Sequence, residues 1–130
     1  MRIIPVLALL SLAAPLEART ITAQNGMVAA QAGPTEILVG HRARANATDY
    51  WCAAGDYAVR VMGLPNATRI WRATPASARV GQGVLFTLDA AKKAEGAGLS
   101  EYGSGPRDGS MSLGMAVGNY CRPILPFWRD

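Results

Sequence analysis

The two cysteines and the single histidine carry the most reactive side chains in this sequence. Cys52 lies near the start of a predicted helix, and a thiol in that position is a better nucleophile because the helix dipole stabilises the thiolate. A nearby imidazole could accept its proton, and His41 is the only candidate. Cys52 and His41 together would suit a thiol-dependent hydrolase, although no family-specific signature surrounds either residue.

The alternative use of the cysteines is a structural disulfide. Cys52 and Cys121 are the only pair, and in an oxidising compartment an even pair in a small domain most simply forms a bond. A bond across this separation of 121 − 52 = 69 residues would stabilise the fold by about 4 kcal/mol, because it restricts the unfolded chain. Free thiols, or one reactive thiol, remain open at this point.

Other chemistries find little support, and the sequence predicts neither a metal site nor a cofactor. One histidine and two distant cysteines do not match the ligand spacing of zinc. Asp49 and Asp56 are separated by about 10 Å of helix, so we expect a solvated face rather than a carboxylate pair. The glycine-rich stretches at 81–83, 96–98 and 103–105 lack the spacing of a phosphate-binding loop. A non-enzymatic domain is favoured over an enzyme.

The arginines could form a basic surface for an anionic partner. The chain has a net charge of +4, carried almost entirely by arginine, and the candidates are Arg42, Arg44, Arg69, Arg72 and Arg79. Arg69 and Arg72 lie three apart on a predicted strand, which points them to opposite faces and weakens any patch. Anionic envelope lipid or polysaccharide is a plausible partner, nucleic acid is not, and scattered surface arginine is the simpler interpretation.

The C-terminal segment 123–130 combines two prolines with large apolar side chains. Prolines disfavour a central strand, yet the apolar side chains favour burial. The segment either folds back over the domain, or Phe127 and Trp128 form an exposed patch for a partner.

The N-terminus resembles a cleavable secretory signal. Arg2 precedes an apolar stretch at 3–12, and residues 13–18 form a cleavage region ending at Ala18. The apolar stretch is too short to cross a bilayer as a helix, so we expect no membrane span after cleavage. The sequence therefore predicts residues 1–18 as signal and 19–130 as one small periplasmic or extracellular domain.

The short signal, the Ala/Arg/Gly bias and the one cysteine pair are similar to those of many envelope proteins of Gram-negative bacteria. No motif assigns the chain to a named family. We therefore expect a non-enzymatic binding or structural domain of the bacterial envelope, contacting another envelope protein or an anionic envelope surface. The alternative is the Cys52/His41 hydrolase.

The elements that must position these residues begin with one clear helix over 47–62. Asn46 or Thr48 can cap it, and Gly63 followed by Pro65 ends it. An apolar stripe repeats at three- and four-residue steps, formed by Trp51, Ala54, Ala58 and Val61. Asp56 and Arg60 form an i,i+4 pair that we expect on the wetter side of this helix.

The rest of the chain is predicted to form mainly strands. Residues 20–22 and 26–30 could each be extended, 27–39 suggests a hairpin, and further strands are predicted at 68–74, 84–88 and 111–117. Residues 89–110 are a glycine-rich surface excursion with a short helical turn near 90–94. The order β-β-α-β-β-β predicts an α+β fold, a small antiparallel sheet of about five strands with one main helix on one face. Trp51 and Ala54 would press on Phe86 and Leu88, and the disulfide would join helix to sheet.

Overall fold

The computed structural model describes residues 19–75, 78, 80–94 and 108–121. The predicted signal at 1–18, most of the glycine-rich excursion and the aromatic tail with Phe127 and Trp128 lie outside the described residues. Arg79 also lies outside them.

The fold is α+β, as predicted, and is built on one antiparallel sheet. Its strands are β1 (Thr20–Thr22), β2 (Val28–Gln31), β3 (Glu36–Val39), β4 (Arg69–Arg72), β5 (Val84–Thr87) and β6 (Met111–Ser112). They lie side by side in the order β1-β2-β3-β5-β4-β6. The helices are α1 (Ala47–Arg60) and α2 (Leu113–Tyr120), with short 3₁₀ turns at Val80–Gln82 and Ala90–Lys92. Within the described residues the sheet thus has six strands rather than about five, and a second helix follows it.

One face of the sheet, here the inner face, packs against α1. Ile37 pairs with Phe86 across β3 and β5, and both side chains are fully buried. Trp51 of α1 meets Phe86 edge to face, with ring centroids 4.9 Å apart and an interplanar angle of 70°. The predicted packing of the helix stripe on the sheet is confirmed at this contact.

The predicted boundaries of α1 follow from local hydrogen bonds. The backbone N–H of Asn46 donates to Asp49 Oδ2 at 2.9 Å, which holds the first turn in the manner of a capping box. At the other end Gly63 adopts a φ of +66°, and the N–H of Leu64 donates to the carbonyl of Ala58 at 3.1 Å. A left-handed residue here favours glycine because it has no Cβ.

The prediction of a strand over 111–117 is wrong for most of its length. Only Met111–Ser112 are extended, and α2 begins directly afterwards. The Ser112 hydroxyl accepts a hydrogen bond from the Met115 N–H at 3.2 Å and caps the helix. A short apolar run of this kind does not separate helix from strand by periodicity alone.

The disulfide joins the two helices, not helix to sheet as expected. Cys52 of α1 bonds to Cys121, which caps the C-terminus of α2. Close packing continues along the helix pair: a Cβ built on Gly55 would lie 2.9 Å from the Cβ of Ala116. The helix layer is therefore stapled within itself and rests on the sheet through α1.

Within the described ranges, neither helix has the length and apolar character needed to cross a membrane.

Candidate interaction surfaces

Cys52 and His41 have separate roles in the structure. Cys52 is fully buried and bonded to Cys121, so in this state it has no thiol to act as a nucleophile. His41 is exposed on the loop between β3 and α1, and its Nδ1 lies 3.3 Å from the hydroxyl of Tyr50. The predicted disulfide pair is therefore confirmed, and the histidine contacts a phenol.

Asp56 is buried, which corrects the expectation that it lies on a wet face. Its side chain is 1% exposed, while that of Arg60 is 50% exposed. Arg60 Nε and Nη2 donate to the two carboxylate oxygens at 2.7 and 2.6 Å, and Gln24 donates from its backbone and its side chain at 2.9 and 3.0 Å. Asp56 thus connects α1 to the segment between β1 and β2, and Asp49 is a separate helix-capping residue.

The carboxyl of Asp56 is held in its charged form by these donors. Burial alone raises its pKa, but hydrogen bonds from Arg60 and Gln24 outweigh that cost and hold the pKa below the ordinary value of 3.8. A charged, fully hydrogen-bonded carboxylate is a structural group. Among the described residues no group of three or more His, Cys, Asp or Glu side chains could hold a metal ion.

Arg69 and Arg72 lie at the two ends of β4, and both are engaged within the protein. Arg69 donates to the hydroxyl and the carbonyl of Ser110 at 3.0 and 3.1 Å, fastening the turn before β6. Arg72 donates to the carbonyls of Thr74 and Pro75 at 2.8 and 3.5 Å. The strand register points them to opposite faces, as the sequence predicts.

Arg72 is a partly buried cation whose hydrogen bonds go to carbonyl oxygens. Burial lowers the pKa of Arg72, and the neighbouring phenol of Tyr50 opposes this. Among the described residues it forms no ion pair with a carboxylate. No described carboxylate therefore offsets the cost of removing part of this positive charge from water.

A basic end of the sheet is formed by His41, Arg42, Arg44 and Arg72. Antiparallel pairing brings the last residue of β3 beside the first residue of β5, and the Arg72 guanidinium extends past β4 toward the same end. Arg42 donates to the carbonyl of Asn25 at 2.6 Å and lies 3.8 Å from Asp49. Arg44 is exposed, with a φ of +63°, and bonds to no other described side chain.

The outer face of the sheet, opposite α1, exposes apolar side chains. Val28 is 49% exposed and Leu38 is 38% exposed. Leu38 pairs with the half-buried Leu85, and Val28 lies diagonally from Leu38 because its carbonyl accepts from Gly40 at 2.8 Å. Val28 also lies next to the basic end. Val28 therefore adjoins the loop that carries His41, Arg42 and Arg44, whereas Arg72 pairs with Phe86 and projects from the inner face at the same end.

Sequence reasoning missed the individual members of this outer face. The available signal was the run Ile37-Leu38-Val39, three consecutive large apolar residues in a strand. Alternation allows only Ile37 and Val39 to face a common core, which leaves Leu38 outside unless a second layer covers it.

The fold places the chain among α+β proteins with a single antiparallel sheet and helices on one face. No protein-family model, curated protein or solved structure matches the chain. Its function must therefore be argued from its own surfaces.

Proposed function

We propose that this chain is exported and acts outside the cytoplasm as a non-enzymatic binding domain of the bacterial envelope, contacting another envelope component through the outer face of its sheet. The observation that carries the proposal is the exposure of Val28 and Leu38 on the face of the sheet opposite α1. Exposed apolar side chains grouped on one face are typical of a contact surface.

The state of the cysteines supports a binding rather than a catalytic role. Cys52 is fully buried and Cys121 nearly so, and their bond holds the two helices together. A buried bond between elements is a structural use of both sulfurs. It also suits an oxidising compartment, in which disulfides form and persist.

The predicted cleavage site is compatible with the fold. Cleavage after Ala18 would make Arg19 the first residue, directly before β1. The carbonyl of Arg19 accepts a hydrogen bond from the Tyr57 hydroxyl at 2.7 Å. A new N-terminus at this position would keep every described strand and its attachment to α1.

The test combines export with a surface variant. The full chain, with its signal, is expressed in a Gram-negative host, and the exported protein is separated into soluble and washed-envelope fractions. We expect retention in the envelope fraction, and we expect Leu38→Glu to release most of it. Met115→Glu is the matched control, because Met115 is similarly exposed at 44% but lies on α2.

Two results would overturn the proposal. Retention of the protein in the cytoplasm with residues 1–18 intact would show that the chain is not exported. Equal release by Leu38→Glu and Met115→Glu would show that the envelope contact is not made by the outer face of the sheet. Far-UV circular dichroism of both variants checks that the fold is intact.

A further inference from the structure

The charges described in the structure are distributed unevenly. The basic end has three arginines, Arg42, Arg44 and Arg72, against one carboxylate, that of Asp49, so 3 − 1 leaves an excess of +2. Around the opposite end of the sheet and the β4 edge, the described residues have a net charge of 3 − 3 = 0. The three positive charges are those of Arg69, Lys92 and Lys93, and the three negative charges are those of Glu36, Asp89 and Asp108. There the carboxylates are neutralised locally, as in the 2.6 Å pair of Lys92 with Glu36.

The arginines of the basic end do not converge on one small ligand. Arg42 holds the carbonyl of Asn25 and Arg72 holds the carbonyl of Thr74, so the two guanidinium groups are fixed on different segments. Arg44 is free to turn outward. Separate cations of this kind fit a partner that offers many negative charges over an area.

The apolar neighbours of the basic end narrow the class of partner. The Val28 carbonyl is bonded to Gly40, two residues from Arg42, so a half-exposed aliphatic side chain lies beside the cationic loop. Leu38 extends the apolar surface across β3. A surface with basic groups along its edge and aliphatic groups within it matches the headgroup boundary of a membrane, where both kinds of contact are favourable.

We propose that the basic end and the adjoining outer-face residues Val28 and Leu38 bind an anionic lipid surface. This inference rests on the proposed envelope contact and names its partner. The arginines attract the phosphate groups of the lipid, and the aliphatic side chains enter the interface.

The experiment measures binding of the chain from residue 19 onward to lipid vesicles by co-sedimentation. One vesicle preparation contains phosphatidylglycerol mixed with phosphatidylcholine, and the other contains phosphatidylcholine alone. We expect binding to the anionic vesicles only, decreasing as salt rises from about 0.05 to about 0.5 M.

The decisive variant is Arg44→Asp, with Arg19→Asp as its control. Aspartate tolerates the left-handed backbone at position 44, and both variants change the net charge equally. Arg19 is exposed and directly precedes β1, and the pairing of β1 with β2 places it at the end of the sheet away from Val28. We expect Arg44→Asp to weaken vesicle binding about tenfold and Arg19→Asp to weaken it less than about threefold. The variant Arg44→Asn, which only removes the charge, should lie between them.

Each other outcome would overturn the lipid proposal. Equal binding to neutral vesicles, equal effects at positions 44 and 19, or no vesicle binding would each do so. Binding to a soluble anionic polysaccharide but not to vesicles would assign the basic end to that partner instead. If Leu38→Glu still releases the protein from envelopes while vesicles fail, the envelope contact stands and only its lipid identity is lost.

Discussion

Asp56 and Arg60 form a two-pronged ion pair in which only one partner reaches solvent. The carboxylate is buried and accepts from both Arg60 and Gln24, and Arg60 Nη2 also donates to the carbonyl of Thr22 at 3.1 Å. One carboxylate thereby attaches the N-terminal strand region to α1. The pair is a point at which helix and sheet edge are joined by polar contacts instead of apolar packing.

Replacement of Asp56 by alanine should lower the free energy of unfolding by about 2–3 kcal/mol. The change leaves the Gln24 amide and a half-exposed guanidinium without their acceptor, and breaking a buried pair is costly. The control is Asp49→Ala, which removes a half-buried capping carboxylate and should cost about 1 kcal/mol. Urea denaturation measures both. Losses of equal size would contradict the role given to Asp56.

The same carboxylate predicts a dependence on pH. Its folded pKa is lowered, so its contribution is fully present above the unfolded value of about 3.9 and is lost as pH falls through the folded pKa. The stability difference between the wild-type chain and Asp56→Asn should therefore be largest near pH 7 and shrink below about pH 4. Urea midpoints across this range measure it. A difference that grows on acidification would be inconsistent with a stabilised carboxylate.

Gly55 and Gly118 should respond oppositely to alanine. A Cβ at Gly55 would lie 2.9 Å from the Ala116 Cβ and 3.3 Å from Val117 Cγ2, whereas no atom of the described residues lies within 4 Å of one at Gly118. We expect Gly55→Ala to destabilise by about 1–2 kcal/mol despite better helix propensity, and Gly118→Ala to stabilise by about 0.5–1 kcal/mol. Adding Ala116→Gly to Gly55→Ala should recover part of the loss. Thermal unfolding separates these outcomes, and a stabilising Gly55→Ala would disprove the close helix contact.

The disulfide should account for a large share of the stability. The bond spans 69 residues of sequence, so Cys52→Ala/Cys121→Ala should lose about 4 kcal/mol in urea denaturation. Both positions are buried, which makes alanine a better replacement than serine. The near-ultraviolet circular dichroism of the folded double variant checks that the core around Trp51 persists. A loss below about 1 kcal/mol would show that the helix layer does not depend on the bond.

The elements with local signals were predictable from the sequence. The limits of α1 follow from the Asn46 cap and Gly63, and the strands of the 27–39 hairpin follow from β-branched residues around a Gly-Pro turn. Cys52 and Cys121 could be paired because no other cysteine competes. These features need only neighbouring residues or simple counting, which is why one sequence is sufficient for them.

The predictions that are wrong concern features that depend on contacts between residues far apart in the sequence. A charged i,i+4 pair is usually solvated, so the burial of Asp56 could not be seen without Gln24, which lies 32 residues away. Met111 to Val117 is apolar and contains Gly114, a composition that suits strand or helix. In the structure, the Ser112 cap and the close approach of Ala116 to Gly55 accompany its helical form. Because this segment is predicted as a strand, the sequence also predicts that the disulfide joins α1 to the sheet, whereas it joins α1 to α2.

The central claim is that the chain is exported and that its only two cysteines are joined. The most direct test is the intact mass of the protein recovered from the envelope fraction, after treatment with iodoacetamide in denaturant without reductant. The account predicts the mass of residues 19–130 less two hydrogens, with no alkyl group added. The mass of residues 1–130, or alkylation at Cys52 and Cys121, would contradict it.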